Sequence, residues 1–188
     1  IGALALSAFI DPSTGILREH FDANWGKLAA AGRVIEPGHH FEWAWLLLRW
    51  SGAARREVRN AALRLIAVAE HHGVRNEVAV NALLDDLSVQ DPSARLWPQT
   101  ERLKAAALAA RVTGEERYWV MAHAAATGVF RYLETSVPGS WYDELTADGK
   151  LIEEPAPAST FYHLAAAAAQ LTASVTAQSG ECDPCRAR

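Results

Sequence analysis

The sequence predicts an all-α fold of antiparallel helix pairs with loops gathered at one end. Helical periodicity recurs along the chain, while strand-like alternation is scarce. Half of the 188 residues are hydrophobic, and alanine, the strongest helix former, is used heavily. The breaks repeat a rhythm of helix, long loop, helix, short turn, helix.

Helices are predicted over Ile1–Ile10, His39–Ser51, Ala54–His72, Pro98–Thr113, Glu115–Glu134 and Ser159–Gln178. Pro37 and Gly38 break the chain ahead of the second helix, and little from Phe41 to Trp50 would stop it. The stretch Ala61–Ala69 has the apolar density of a helix packed on more than one side, and Ala165–Ala169 is small enough for close packing. Loops are marked by Asp11-Pro12-Ser13-Thr14-Gly15, Asp91-Pro92-Ser93 and Pro138-Gly139-Ser140. Tyr142–Leu151 reads as a short hairpin turning at Asp148-Gly149. With no linker or composition break, residues 1–178 are expected to form one domain and 179–188 a tail.

A net charge of −4 and a pI near 6 leave no basic footprint for nucleic acid. No apolar run has the length needed to span a bilayer. The apolar start at Ile1 lacks the initiator Met, basic flank and cleavage site of a signal peptide, and reads as the middle of a helix. Cys182 and Cys185 form a single CxxC, which cannot close a zinc site alone and gives no disulfide framework. A reducing, cytoplasmic setting is therefore expected.

Three predicted helix starts carry residues suited to handling a sugar. On the first, His39, Glu42 and Trp43 share one face and can look into one cavity. On the second, Pro98 suits the first helical position, with Trp97 at the mouth and Glu101 one turn inside. Gln99 and Glu101 could bond sugar hydroxyls while Trp97 covers an apolar sugar face. On the third, Ser159 or Thr160 is expected to cap a helix whose first turn holds His163. The positive dipole end should keep His39 and His163 neutral and usable as bases near pH 7. His40 points about 100° away from His39. His71 and His72 read as helix-terminal residues, His123 as a packed core residue, and His20 is open. No metal is expected, since His39-x-x-Glu42 lacks the second histidine of a zinc-binding helix face.

These residues lie in longer motifs: Glu19-His20-Phe21-Asp22-Ala23-Asn24-Trp25, Pro37-Gly38-His39 through Leu47, and Arg95 through Glu101. Gly139-Ser140-Trp141-Tyr142-Asp143 and Pro157 through Leu164 follow. In this order, as far as about Leu171, the chain resembles the N-acylglucosamine 2-epimerase superfamily, which includes mannose isomerases and cellobiose 2-epimerases. The resemblance implies an (α/α)6 barrel, of which this chain looks like the C-terminal half, and cofactor-free, metal-independent proton transfer beside a sugar carbonyl. His39 and His163 match the family's acid/base histidines, Glu42 the carboxylate paired with the first, and Trp97 and Glu101 substrate-lining positions. The family's N-terminal half supplies further sugar contacts, and half a barrel would expose inner-helix faces.

The expected function is aldose–ketose isomerisation of D-mannose to D-fructose through a cis-enediol, on a small-molecule sugar, with no nucleic acid or membrane partner. A 2-epimerase acting on N-acylglucosamine or cellobiose is the alternative within the family. A non-catalytic truncated helical module is another. A glycoside hydrolase using Glu42 and Glu101 as a carboxylate pair about 5–10 Å apart would leave the histidines without a role.

Overall fold

The computed structural model describes residues 1–29, 31–51 and 55–180. Helix α1 (Gly2–Leu4) runs into a π-helical turn, Ala5–Phe9, and ends where Ile10 becomes extended. The Asp11–Gly15 turn follows, closed by an Ile10–Leu17 bridge and by Gly15 at φ +77°. A 3-10 turn, Ala31–Arg33, leads through strand β1 (Val34–Ile35) to α2 (Pro37–Ser51). Pro37 opens this helix at a position where its missing N–H costs nothing.

Helix α3 (Arg56–Gly73) returns antiparallel, starting after the predicted Ala54, which lies outside the described residues. Strands β2 (Val74–Arg75) and β3 (Val78–Ala79) form a tight hairpin, its two turn residues Asn76 and Glu77 at φ 48° and 70°. Strand β4 (Ala82–Leu84) lies between β1 and β5 (Val89–Asp91) in an antiparallel sheet. Strand β6 (Ala94–Arg95) runs into α4 (Leu96–Thr113), which a left-handed Gly114 ends; α5 (Glu116–Leu133) follows.

The expected hairpin forms, but its first strand, β7 (Glu144–Leu145), pairs with β6 in the register Ala94–Leu145, Arg95–Glu144. Its return is a single Leu145–Leu151 bridge, turned at Gly149 (φ +80°). Helix α6 (Thr160–Gly180) completes the described chain. The Cys182/Cys185 tail lies outside the described residues.

Helix α4 is the axis of the packing. Helix α2 packs on α3 and α4, and α4 in turn packs on α5 and α6. Every residue from Pro98 to Ala110 is buried. One core cluster joins α2, α3 and α4 through Phe41, Leu47, Leu65, Ile66 and Leu108; another joins α4, α5 and α6 through Leu103, Ala106, Ala122 and Ala167. The all-round burial expected of Ala61–Ala69 thus belongs to α4. Helix α3 buries one stripe, Val58, Ala62, Leu65, Ile66 and Ala69, and leaves Arg64 and Ala67 exposed. In α6 only Ala167 of the alanine run is buried, because this helix packs mainly on α4 and leaves Ala165, Ala168 and Ala169 uncovered. His123, expected in the core, is exposed.

His40 ties the first loop to α2. Its Nε2 accepts the Leu17 backbone N–H at 3.0 Å, so Nδ1 carries the proton and donates to the Glu36 carbonyl, also at 3.0 Å. Burial pushes its pKa down to about 4. Between the ordinary histidine pKa and 4 the unfolded chain binds a proton that the native chain does not, so stability falls as pH drops through that window. The full loss from this group is about 3 kcal/mol. Urea midpoints at pH 7 and pH 4.5 should therefore differ markedly for the parent. His40→Gln should be less stable at pH 7 and show a smaller pH dependence.

Candidate active site

Three helix starts meet at one end of the molecule. Helix α2 begins Pro37-Gly38-His39, α4 begins Leu96-Trp97-Pro98, and α6 begins Thr160-Phe161-Tyr162-His163. Trp97 lies between the two imidazoles. Its ring centroid is 5.0 Å from that of His39 and 5.6 Å from that of His163, so the imidazoles are separated by no more than those two distances together. Gly38 makes this approach possible: a Cβ there would fall 2.5 Å from the Trp97 ring. The α4 start is held by Leu96 N–H donating to the Asp143 carbonyl and by Arg95 N–H donating to Asn81 Oδ1. Arg95 also pairs with Glu36 at 3.0 Å and lies over the Trp97 ring.

Each histidine has its own carboxylate. His39 Nδ1 meets Glu19 Oε2 at 3.0 Å, while Glu19 Oε1 accepts the Glu36 N–H at 2.5 Å. Burial pushes the His39 pKa down, but the Glu19 hydrogen bond and charge, with Glu36 and Glu42 adding to them, leave it raised. These carboxylates work against the positive end of the helix dipole, which disfavours imidazolium. His163 Nδ1 meets Glu101 Oε1 at 2.6 Å; the Lys104 ammonium lies 2.7 Å from the other Glu101 oxygen, an ion contact without good hydrogen-bond direction. Both Glu101 and Lys104 are buried, and the Tyr162 ring covers His163 at 3.9 Å. With Nδ1 donating to a carboxylate, each ring leaves Nε2 without a hydrogen-bond partner among the described residues.

Several expected roles change. Gln99 is wholly buried and spends its amide on the Ala79 N–H, the Ala79 carbonyl and the Arg95 carbonyl, so it bonds backbone instead of sugar. Glu101, also fully buried, can reach a ligand only through His163. The hydrogen-bond partner of His39 is Glu19; Glu42 acts on it through charge alone, and also raises the Tyr162 pKa after burial. Trp43 shares a cavity of about 490 Å³ with Glu19, His39, Phe9, Phe21 and Trp25. Pro98 stands third in α4, still within the first turn, and the Thr160 hydroxyl donates to Asp143 Oδ1 instead of capping α6. His71 and His72 do end a helix, edge to face. Glu19 was missed as a partner because it lies twenty residues from His39, beyond any helix spacing; its place in the Glu19–Trp25 motif was the available signal.

Among the described residues, Glu19, Glu36 and His39 bring ligand-type atoms within 4.8 Å of one another. The Glu19 oxygens and His39 Nδ1 already bond each other and the backbone, and Glu36 pairs with Arg95, which suits proton handling better than cation capture. Paired His–carboxylate groups can serve as general acids and bases.

The chain belongs to the N-acylglucosamine 2-epimerase (GlcNAc 2-epimerase) family, whose model matches residues 1–167. It is 49% identical over 180 residues to a mannose-6-phosphate isomerase of Rhizobium meliloti (strain 1021), a match covering 91% of this chain and 46% of that protein. The cellobiose 2-epimerase of Bacillus thermoamylovorans B4167 has the same fold, with a TM-score of 0.77 over 93% of this chain and 45% of its own, at 20% identity. A D-mannose isomerase structure matches at a TM-score of 0.71 over 84% of this chain and 44% of its own, at 22% identity. The chain thus spans about half the length of the relatives it matches, and its fold is that part of their helical toroid.

Two substitutions test the geometry. Gly38→Ala should displace the Trp97 indole and weaken its contacts with both imidazoles, read as altered ring-current shifts of His39 and His163 in NMR spectra. Glu19→Gln removes the carboxylate that raises the His39 pKa, so its NMR titration midpoint should move down.

Proposed function

We propose that this chain carries the paired acid/base machinery of a sugar isomerase that converts D-mannose to D-fructose through a cis-enediol. The observation that carries the reading is the indole of Trp97 flanked by two imidazoles, each with Nδ1 tied to a carboxylate. A proton α to a carbonyl is weakly acidic, so the reaction needs a placed base, a returning acid and polar groups for the enediol. His163 is suited to take the C2 proton on Nε2, since its other nitrogen donates to buried Glu101. His39, with its pKa raised by Glu19, is suited to protonate and deprotonate sugar oxygen. Trp97 would cover the apolar face of the sugar, and Glu42 would add negative charge beside His39. The proton then returns at C1 and gives the ketose.

The isomerase reading is favoured over 2-epimerisation by the motifs around Trp97 and His163 and by the name of the 49% identical relative. That name specifies a phosphorylated sugar, and one observation favours an anionic substrate as the second reading. Arg18 lines the cavity beside His39, and its buried Nη1 has no hydrogen-bond partner among the described residues. A carboxylate-pair hydrolase fits poorly, because Glu101 is sealed between His163 and Lys104.

The test is to incubate the complete protein with mannose, or with mannose 6-phosphate, in D₂O and identify the product. Fructose with carbon-bound deuterium is expected; glucose alone would move epimerisation ahead, and preference for the phosphate ester would establish the anionic substrate. His163→Asn should lower turnover roughly 10²–10⁴-fold, the usual scale for losing a general base, whereas His71→Asn should cost little. Residues 1–188 alone should show little or no turnover, because the family's other half supplies further sugar contacts.

A further inference from the structure

We propose that Lys104 is a positioning residue for proton transfer: its buried ammonium balances the Glu101 carboxylate, so that the carboxylate orients His163 with Nε2 free without drawing a second proton onto the imidazole. This inference rests on the isomerase reading for its purpose, but not for its physical content.

Glu101 has no solvent exposure, and Lys104, one turn further along α4, is also buried. An ionised carboxylate in such a place must be compensated, either by a fixed cation or by a second proton on the imidazole that bonds it. Lys104 supplies the compensation on one oxygen while His163 occupies the other. The lysine is itself held. Its ammonium lies 4.1 Å from the Trp45 ring centroid, Trp45 Nε1–H donates to Gln170 Oε1 at 2.9 Å, and Gln170 donates to Ser174 Oγ at 3.0 Å. Helices α2, α4 and α6 therefore all contribute to fixing one charge.

The cation decides which way the proton sits. A carboxylate without a compensating charge would pull a second proton onto the imidazole and stabilise imidazolium, which cannot act as a base. With Lys104 in place, a neutral imidazole beside the ammonium–carboxylate pair leaves the buried set without net charge. Protonating His163 would add a positive charge near a buried ammonium. Other titratable groups on this side are His39 and Glu42 from α2, Tyr162 beside His163 on α6, Arg95 over Trp97, and Asp143, which accepts the Thr160 hydroxyl. None of them is recorded in ion contact with Glu101.

The experiment is an NMR titration of the His163 imidazole, which needs no turnover and so succeeds or fails independently of the substrate assignment. In Lys104→Met the pH at which His163 gains its second proton should rise by at least one unit relative to the parent, while Lys104→Arg should stay close to the parent. In a Glu101→Gln background, adding Lys104→Met should shift His163 far less, because the coupling runs through the carboxylate. In the complete protein, the acid limb of the kcat profile should move upward in Lys104→Met with little change in KM. An unchanged His163 midpoint in folded Lys104→Met would overturn the proposal. If Lys104→Met does not fold, an equal His163 midpoint in Lys104→Arg and in Glu101→Gln would do so. A normal titration response with no sugar turnover would leave the positioning role standing and sink the isomerase reading.

Discussion

Surrounding α4 on every side obliges its charged residues to find partners inside the protein. Glu101, Arg102 and Lys104 are all buried. Arg102 forks onto Glu70 of α3, at 2.5 and 2.8 Å, and donates to the Glu77 carbonyl in the β2–β3 turn. Glu101 and Lys104 tie α4 to α6 and to Trp45 of α2. Buried ion pairs seldom add much net stability, yet breaking one leaves an uncompensated charge that costs several kcal/mol. The helices around α4 are thereby held in one register, and the same contacts set the His163 side of the site.

That register brings the starts of α2, α4 and α6 together. Gly38 lets the indole of Trp97 lie against the α2 backbone, and Gly73 likewise lets the end of α3 close on Pro37, where a Cβ would fall 2.5 Å from the proline ring. The N-terminal loop closes the arrangement from outside. His40 fixes Leu17, and two residues on, Glu19 reaches both the Glu36 N–H and His39. Two adjacent histidines therefore divide the work, one as a neutral strut in the core and one facing the cavity. Their separation around the helix made that division possible.

Much of this was legible in the chain. Pro37-Gly38, Pro98 and the Pro157–Thr160 stretch marked helix starts, and His39 and His163 do lie in first turns, while Trp97, expected at the mouth of α4, falls inside its first turn. What could not be read was which helix lacks a solvent face. Gln99, Thr100, Glu101, Arg102 and Lys104 look like a solvated polar run, and only the tertiary partners show each of them buried. The alanine- and leucine-rich α3 misled in the opposite sense, because composition does not reveal how many neighbours a helix will have. The Glu19–His39 pair escaped for a simpler reason: helical spacing speaks only to residues within a turn or two.

The placement of Glu101 and Lys104 also bears on how such a chain can change over evolutionary time. Replacing a buried ion cluster by well-packed apolar residues of similar size is often neutral or stabilising. If both charges were lost together that exchange would meet no such barrier, and α4 would become an ordinary aliphatic helix. Losing either one singly is the costly path, so the pair resists piecemeal replacement.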